Sequence, residues 1–247
     1  MDKAKVEKLI KNSLQKLQQI GWENKNCNKN QESRLIFPKY RDRNNKDGKK
    51  QEDNKRISEQ EARFLFVIEL ENAKDTHSFY YSVETPTEFG YRFSENGKKI
   101  NPKKDTGGQS GKIDICIYDT DCNRKHLVEF KAHNSDIHDF SKDFIKLKYE
   151  PKKNELEYEP NYFVHILKSY DGGTISSLEK KYSEAFKIAV DKDNNANITV
   201  DKDNNAKKAN EVRVFLCILE LKEKYKGKET IIYFDEKDYI EKLGKLL

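Results

Sequence analysis

The spacing of hydrophobic residues alternates between a helical and a strand period along this chain, which predicts an α/β fold. Apolar side chains recur every three or four residues over 2–20, 58–73 and 136–149, as in amphipathic helices. Between 78 and 132, short runs rich in Ile, Val, Phe and Tyr are separated by polar turns, as in strands. A strand predicted at 161–167 follows a helix, so we expect it to pair in parallel with the strand before that helix.

The rest of the chain continues this alternation. Strands are predicted at 212–219 and 230–234, and helices at 175–189 and 236–247. Residues 94–111 are polar and contain two adjacent glycines, so this segment is predicted to be a loop.

The helix predicted at 2–20 has an apolar stripe, for which two interpretations remain open. The stripe packs on the core of its own chain, which the pattern favours, or it docks a partner or a second copy. Its members are Val6, Leu9, Ile10, Leu14, Leu17 and Ile20.

Composition limits the class of protein without identifying it. The chain has 247 residues and a net charge of +5, a basic excess too small to indicate nucleic-acid binding by itself. Its four cysteines show neither zinc-site spacing nor a disulfide framework, so a reducing, cytoplasmic location is expected. Neither a signal peptide nor a membrane span is visible, and no membrane association is expected.

The strand predicted at 111–119 has one face that differs chemically from the other. Side chains alternate between the faces of a strand, so Asp114 and Cys116 lie on the same face. The opposite face takes Ile113, Ile115 and Ile117.

A hairpin between this strand and the next one brings carboxylates together. If Asp119 faces Arg124, then Asp114 lies opposite Glu129, with Cβ atoms about 4.5–5.5 Å apart. Two carboxylates at that distance repel unless one keeps its proton or a cation lies between them. Mg²⁺ fits because it prefers oxygen ligands and uses one or two carboxylates, and Lys131 shares the Glu129 face. The pattern indicates a site that activates water against a phosphodiester; the alternative is a solvated surface hairpin.

Asp114, followed by Glu129-Phe130-Lys131 on the next strand, resembles the signature of the PD-(D/E)XK nuclease superfamily. The resemblance covers roughly residues 57–170, and Ile113 stands where the family's pattern has proline. It implies a restriction-endonuclease-like fold, with an αβββαβ core whose mixed central sheet is flanked by helices. Residues 1–56 would then form an N-terminal helix and a basic polar connector, and 57–247 a nuclease-like domain.

The same resemblance implies Mg²⁺-dependent cleavage of nucleic-acid phosphodiesters, with Mn²⁺ able to substitute. Asp114 and Glu129 would hold the metal together with the carbonyl of Phe130, and Lys131 would assist the attacking water. The expected activity is that of a DNA endonuclease, by analogy a restriction or defence nuclease. RNA cleavage, a non-catalytic nucleic-acid-binding module and an interaction domain remain alternatives. Paired cuts on duplex DNA need two sites, so a homodimer is a further expectation.

A glutamate on the helix before the strands often orients a metal-bound water in this family. Glu61 is the candidate, and Glu69 on the same helix is an alternative. Glu61 also has a structural explanation, because Ser58 and Glu61 have the spacing of a helix-capping box. Glu84, near the end of the first strand, is a lower-ranked candidate for the metal site.

Contacts to the nucleic-acid backbone are expected from basic residues around the hairpin. The candidates are Arg41, Arg43, Lys103, Lys104 and His133. Both arginines belong to the connector and both lysines to the predicted loop. The alternative for each segment is a solvated loop that binds nothing. His133 shares the Lys131 face, and its alternative is a hydrogen bond that closes the strand end.

Overall fold

The computed structural model describes residues 1–22, 34–38, 57–95, 98–104, 107–151, 159–187 and 209–247. Within these residues the helices are α1 (Lys3–Gln18), α2 (Glu59–Ala73), α3 (Ile137–Tyr149), α4 (Gly172–Lys187) and α5 (Tyr239–Gly244). Two short strands, β1 (Gly21–Trp22) and β2 (Ile36–Phe37), pair in parallel apart from the main sheet. The main sheet contains β3 (Tyr80–Glu95), β4 (Lys98–Lys104), β5 (Gln109–Tyr118), β6 (Arg124–Ala132), β7 (Asn161–Leu167), β8 (Val212–Ile218) and β9 (Ile231–Phe234).

The main sheet is mixed and open, which confirms the predicted α/β class. In the described part of the chain it has seven strands in the order β4-β3-β5-β6-β7-β8-β9. Strands β3 to β6 pair antiparallel, and β9 pairs antiparallel with β8. The pairs β6–β7 and β7–β8 are parallel, as expected for strands separated by helices.

Helices cover both faces of this sheet. On one face α1 and α2 pack against the side chains of Ile115, Val128 and Phe130. On the other face α3, α4 and α5 pack against Leu127 and Phe163. Because β6 contributes to both clusters, its side chains are buried on both faces, and a charge on this strand is removed from bulk water.

The apolar stripe of α1 packs within its own chain, as the sequence pattern favoured. Val6, Ile10 and Leu14 are fully buried in the cluster that α1 shares with α2. Polar contacts add to this packing: Lys16 Nζ lies 2.6 Å from Glu69, and the Asn12 amide donates to the same carboxylate at 3.3 Å. Glu69 therefore joins the two helices.

The predicted loop over 94–111 is partly wrong, because 98–104 form the edge strand β4. This strand pairs antiparallel with the last part of β3, where Tyr91 faces Lys104 and Arg92 faces Lys103. Its sequence is polar and contains Pro102, a residue that an edge strand tolerates because one side of its backbone has no strand partner. Lysine is likewise frequent on edges. The strand depends on pairing with β3, which local sequence does not reveal.

Among the described residues, no helix has the length and apolar character needed to cross a membrane.

Candidate active site

Strands β5 and β6 pair in the predicted register beside the candidate site. Ile115 faces Val128. The paired residues begin there, and Asp114 and Glu129 lie just beyond that pair on the two strands.

The register differs from the prediction at the turn. Tyr118, not Asp119, faces Arg124, because the register shifts after Ile117. The carboxylate of Asp119 instead accepts from the backbone N–H of Asn123 at 2.8 Å. A local turn contact of this kind competes with strand pairing, and it takes Asp119 out of the ladder.

Both strands depart from regular geometry at Asp114. Ile113 packs in the same cluster as Cys116, and Ile115 packs in the other one. The prediction that Ile113 and Ile115 share a face of β5 is therefore wrong. On β3, the position across from Asp114 is Glu84, which has a φ of 51° and lies in the left-handed region. Such a conformation is unusual for a residue other than glycine and is typical of functional or strained positions.

Asp114 is anchored by contacts from two directions. Its Oδ2 accepts from the backbone N–H of Phe130 at 2.8 Å, and its Oδ1 lies 3.4 Å from the guanidinium of Arg63 on α2. Burial raises the pKa of Asp114, although the Phe130 N–H and Arg63 oppose that shift. The carboxylate is thus held at the end of the β5–β6 pairing, directed toward β6.

Glu129 is the most deeply buried carboxylate among the predicted site residues, with 3 % of its surface exposed. Its Oε1 forms an ion pair with Nζ of Lys146 on α3. Burial raises the pKa of Glu129 well above its usual value; Lys146 opposes the shift, whereas Asp143 and Asp114 add to it. The charge of Asp114 thus acts on the pKa of Glu129 from the neighbouring strand.

Lys131 lies between two carboxylates that come from different helices. Its Nζ is 2.8 Å from Oδ2 of Asp143 on α3 and 3.8 Å from Oε1 of Glu59 on α2. Burial lowers the pKa of Lys131, but Asp143 and Glu59 outweigh burial and raise it to about 12. The amine therefore carries its positive charge at neutral pH.

The sequence analysis missed Asp143 as a site residue. Asp143 is buried, and its Oδ1 lies 3.0 Å from Nζ of Lys146 while its Oδ2 holds Lys131. Burial alone would raise the pKa of Asp143, but the two ammonium groups lower it. A signal was present, because Asp143 and Lys146 interrupt the apolar face of α3 that contains Phe140 and Phe144. Charges inside an apolar helical face indicate a buried pair.

The glutamate that α2 brings to the site is Glu59. Besides its contact with Lys131, Glu59 accepts from the backbone N–H of Ala132 at 3.2 Å, and burial raises its pKa. The predicted candidate, Glu61, is hydrogen-bonded to the hydroxyl of the N-cap residue Ser58. Ser58 and Glu61 therefore bond to each other, but the hydroxyl of Ser58 does not cap a backbone N–H as a capping box requires. The contacts with β6 belong to Glu59.

Arg63, Glu84 and Lys112 form an ion-pair chain at the rim of the site. Arg63 Nη2 lies 2.5 Å from one oxygen of Glu84, and Lys112 Nζ lies 3.5 Å from the other. Since Arg63 also contacts Asp114, it joins the exposed rim to that carboxylate. Glu84, ranked low from the sequence, is therefore linked to Asp114 through one guanidinium.

Of the remaining predicted binding residues, His133 is the one whose side chain is described. His133 is exposed, but its Nε2 donates to the carbonyl of Ile57 at 2.8 Å, so it closes the strand end against the start of α2. The hydrogen bond at the strand end was the alternative to a nucleic-acid contact for His133. Lys103 and Lys104 lie on the edge strand β4. Arg41 and Arg43 lie outside the described residues.

The chemistry of the predicted ligands fits Mg²⁺. Asp114, Glu129 and the carbonyl of Phe130 offer oxygen only, and Mg²⁺ usually binds through one or two carboxylates and water. In the described part of the chain, however, no group of three or more His, Cys, Asp or Glu side chains is arranged to hold a metal. The two carboxylates instead have cationic partners, Arg63 and Lys146.

Comparison with protein-family models, with curated proteins and with solved structures gives no match for this chain.

Proposed function

We propose that this protein is a Mg²⁺-dependent endonuclease that hydrolyses phosphodiester bonds in DNA. One observation carries the proposal: Glu129 and Lys131 share one buried ion-pair network through Lys146 and Asp143, and Asp114 on the neighbouring strand accepts from the N–H of Phe130, the residue between them. Buried ionisable groups with perturbed pKa values cluster at the functional sites of proteins.

The order of elements supports the same proposal. Helix α2, strands β3, β5 and β6, helix α3 and strand β7 follow one another in the αβββαβ order that the resemblance to PD-(D/E)XK nucleases implies. Strand β4 is an addition at the edge of the sheet. We therefore propose a restriction-endonuclease-like core, with Asp114 and Glu129-Phe130-Lys131 as its signature.

Each residue of the network has a chemical role in this proposal. Asp114 and Glu129 would hold the metal, which when bound lowers the pKa of a coordinated water and neutralises phosphate charge. Lys131, kept positive by Asp143, would stabilise the charge that develops on the phosphate. Glu59 has a pKa raised by burial, which suits a group that accepts a proton from water near neutral pH.

A specific observation favours a second candidate, a non-catalytic nucleic-acid-binding module. Both predicted metal ligands are paired with cations of the protein, Asp114 with Arg63 and Glu129 with Lys146. A site stabilised in this way folds without a metal. In that case Arg63 and Lys112 at the rim would contact phosphate, and no bond would be cleaved.

Cleavage assays distinguish these candidates. Supercoiled plasmid, linear duplex, single-stranded DNA and RNA are incubated with Mg²⁺ or Mn²⁺, using wild type, Glu129→Gln and Lys131→Ala. Metal-dependent cleavage of DNA that both variants lose supports the proposal. The control is Glu179→Gln, because residues 179–181 repeat the Glu-x-Lys spacing on α4, outside the network.

Three results would contradict the proposal. Cleavage that survives in both variants would place the activity elsewhere. Phosphate-dependent binding of nucleic acid without cleavage under any metal would favour the binding module, and cleavage of RNA alone would change the substrate class.

A further inference from the structure

The ammonium group of Lys146 is surrounded by oxygen atoms. Its Nζ forms an ion pair with Glu129, lies 3.0 Å from Oδ1 of Asp143, and donates to the carbonyl of Lys112 at 2.8 Å. A lysine has three N–H donors, and each has an acceptor here. The side chain is 9 % exposed, so these contacts replace its hydration almost completely.

The acceptors of Lys146 are the kind of ligands that a hard cation takes. Carboxylate and carbonyl oxygens are the usual partners of Mg²⁺, and Glu129 is one of its two proposed carboxylate ligands. A buried carboxylate without a cation is strongly destabilising, so Glu129 requires another positive partner when no metal is bound. In this arrangement Lys146 supplies that charge.

We infer that Lys146 is an internal competitor for the metal site, which a divalent cation must displace from Glu129 in order to bind. This inference rests on the proposed function, because it takes Glu129 as a metal ligand. It adds a residue that sets metal affinity and that the Asp/Glu-x-Lys signature does not contain.

The structure also provides a place for the displaced ammonium. Asp143 and the carbonyl of Lys112 already bind Lys146 and remain available after Glu129 is lost. Asp143 holds Lys131 through its other oxygen, so this one carboxylate balances both lysines. Lys146 thus stays charged and bound while it releases Glu129.

Backbone geometry keeps the stem of Lys146 close to β5. A Cβ atom built on Gly111 would lie 3.1 Å from Cδ of Lys146, tighter than an ordinary contact. The glycine therefore allows the side chain to pass directly beside the strand and reach Glu129. A larger residue would push the lysine away.

Metal titration in the absence of nucleic acid tests this inference. Mg²⁺ binding is measured by isothermal titration calorimetry, and Mn²⁺ binding by electron paramagnetic resonance, for wild type and Lys146→Met. Since methionine keeps most of the stem but removes the charge, we expect metal affinity to rise about tenfold or more. The matched control is Lys148→Met, a buried lysine on the same helix that donates to the carbonyl of Phe186 instead. It should leave affinity unchanged.

A second variant keeps the test decisive if Lys146→Met folds poorly. Asp143→Asn removes the negative charge that would hold the displaced ammonium. It should therefore weaken metal binding, the opposite direction. Unchanged or weaker binding in a folded Lys146→Met, or tighter binding in Asp143→Asn, would overturn the inference.

Glu129→Gln separates failure of this inference from failure of the proposed function. If wild type binds metal, Glu129→Gln does not, and Lys146→Met has wild-type affinity, only the competition is wrong. If neither wild type nor Lys146→Met binds metal, both the metal-dependent function and the competition are wrong.

Discussion

The ammonium group of Lys131 on β6 lies 2.8 Å from the carboxylate of Asp143. Asp143 belongs to α3, which packs on the face of the sheet that Leu127 of β6 also faces. This contact fixes the position of Lys131, which belongs to the predicted motif, through a residue that the motif does not include. Since Asp143 also holds Lys146, removing its charge leaves two ammonium groups without their shared counter-ion.

We therefore expect Asp143→Asn to lower the rate of DNA cleavage by about a hundredfold, because Lys131 loses its fixed position. The substitution should also reduce the free energy of unfolding by about 3 kcal/mol, since it breaks a buried ion-pair network. Single-turnover cleavage and urea unfolding measure the two effects. Asp143→Glu should restore part of the rate. The control Asp139→Asn, in the first turn of the same helix, should change both quantities little.

The two glutamates at the start of α2 should differ in their effect on cleavage. Glu59 contacts Lys131 and the N–H of Ala132, whereas Glu61 bonds the hydroxyl of Ser58. Glu59→Gln should slow single-turnover cleavage by about a hundredfold if it accepts a proton from water. Glu61→Gln should leave the rate within a few-fold of wild type and act on stability only. The reverse order would restore Glu61 as the site residue.

Acid should destabilise the protein through His165. Its Nε2 donates to the carbonyl of His133 at 2.6 Å, so its Nδ1 accepts from the Tyr182 hydroxyl at 2.8 Å. Burial is the main reason that the pKa of His165 falls to about 4; the hydrogen bond to His133 opposes this shift, and the ammonium groups of Lys181 and Lys131 add to it. The unfolded chain binds this proton near pH 6.5. The stabilising contribution is therefore complete above pH 6.5 and is lost as pH falls toward 4.

This loss amounts to about 3 kcal/mol for the single proton. Urea unfolding at a series of pH values from 4 to 7 measures it. In His165→Gln the stability should be lower at pH 7 but should change less with pH. His77→Gln, on the turn after α2, should keep the wild-type pH dependence. Equal pH dependence in wild type and His165→Gln would contradict the assignment.

Glu150 should be a major determinant of stability. Its side chain is completely buried and accepts from the N–H of Glu88 at 2.7 Å, the hydroxyl of Tyr91 at 2.7 Å, and the guanidinium of Arg124 at 2.9 Å. Glu150→Gln keeps the shape but leaves Arg124 without a buried counter-ion, so unfolding free energy should fall by about 3 kcal/mol. Denaturant unfolding checks this. Glu88→Gln, whose carboxylate is largely exposed, should change it by less than about 1 kcal/mol.

Local periodicity was informative on β6. The two-residue repeat of a strand predicts that Glu129 and Lys131 share a face, and both contact α3, through Lys146 and Asp143. The repeat failed at Ile113 because β5 is irregular where it meets Glu84, and that irregularity depends on a partner strand.

Contributions from the helices depended on tertiary packing. The sequence of α2 does not show which side of its first turn faces β6, so the candidates were Glu61 and Glu69, and Glu59 was missed. Asp143 and Lys146 reach the hairpin only because α3 folds back across β6. The same reason explains β4, whose polar sequence becomes a strand only beside β3.

The N–H of Phe130 donates a hydrogen bond to the carboxylate of Asp114, so this side chain both carries a charge and holds the backbone of β6 in place. Truncation of Asp114 to alanine would strip a backbone donor of its acceptor as well as remove a charge. An inactive alanine variant would then be uninterpretable, because a distorted hairpin and a missing ligand have the same outcome. Asp114→Asn keeps an acceptor oxygen in place, and it is the substitution that isolates the charge.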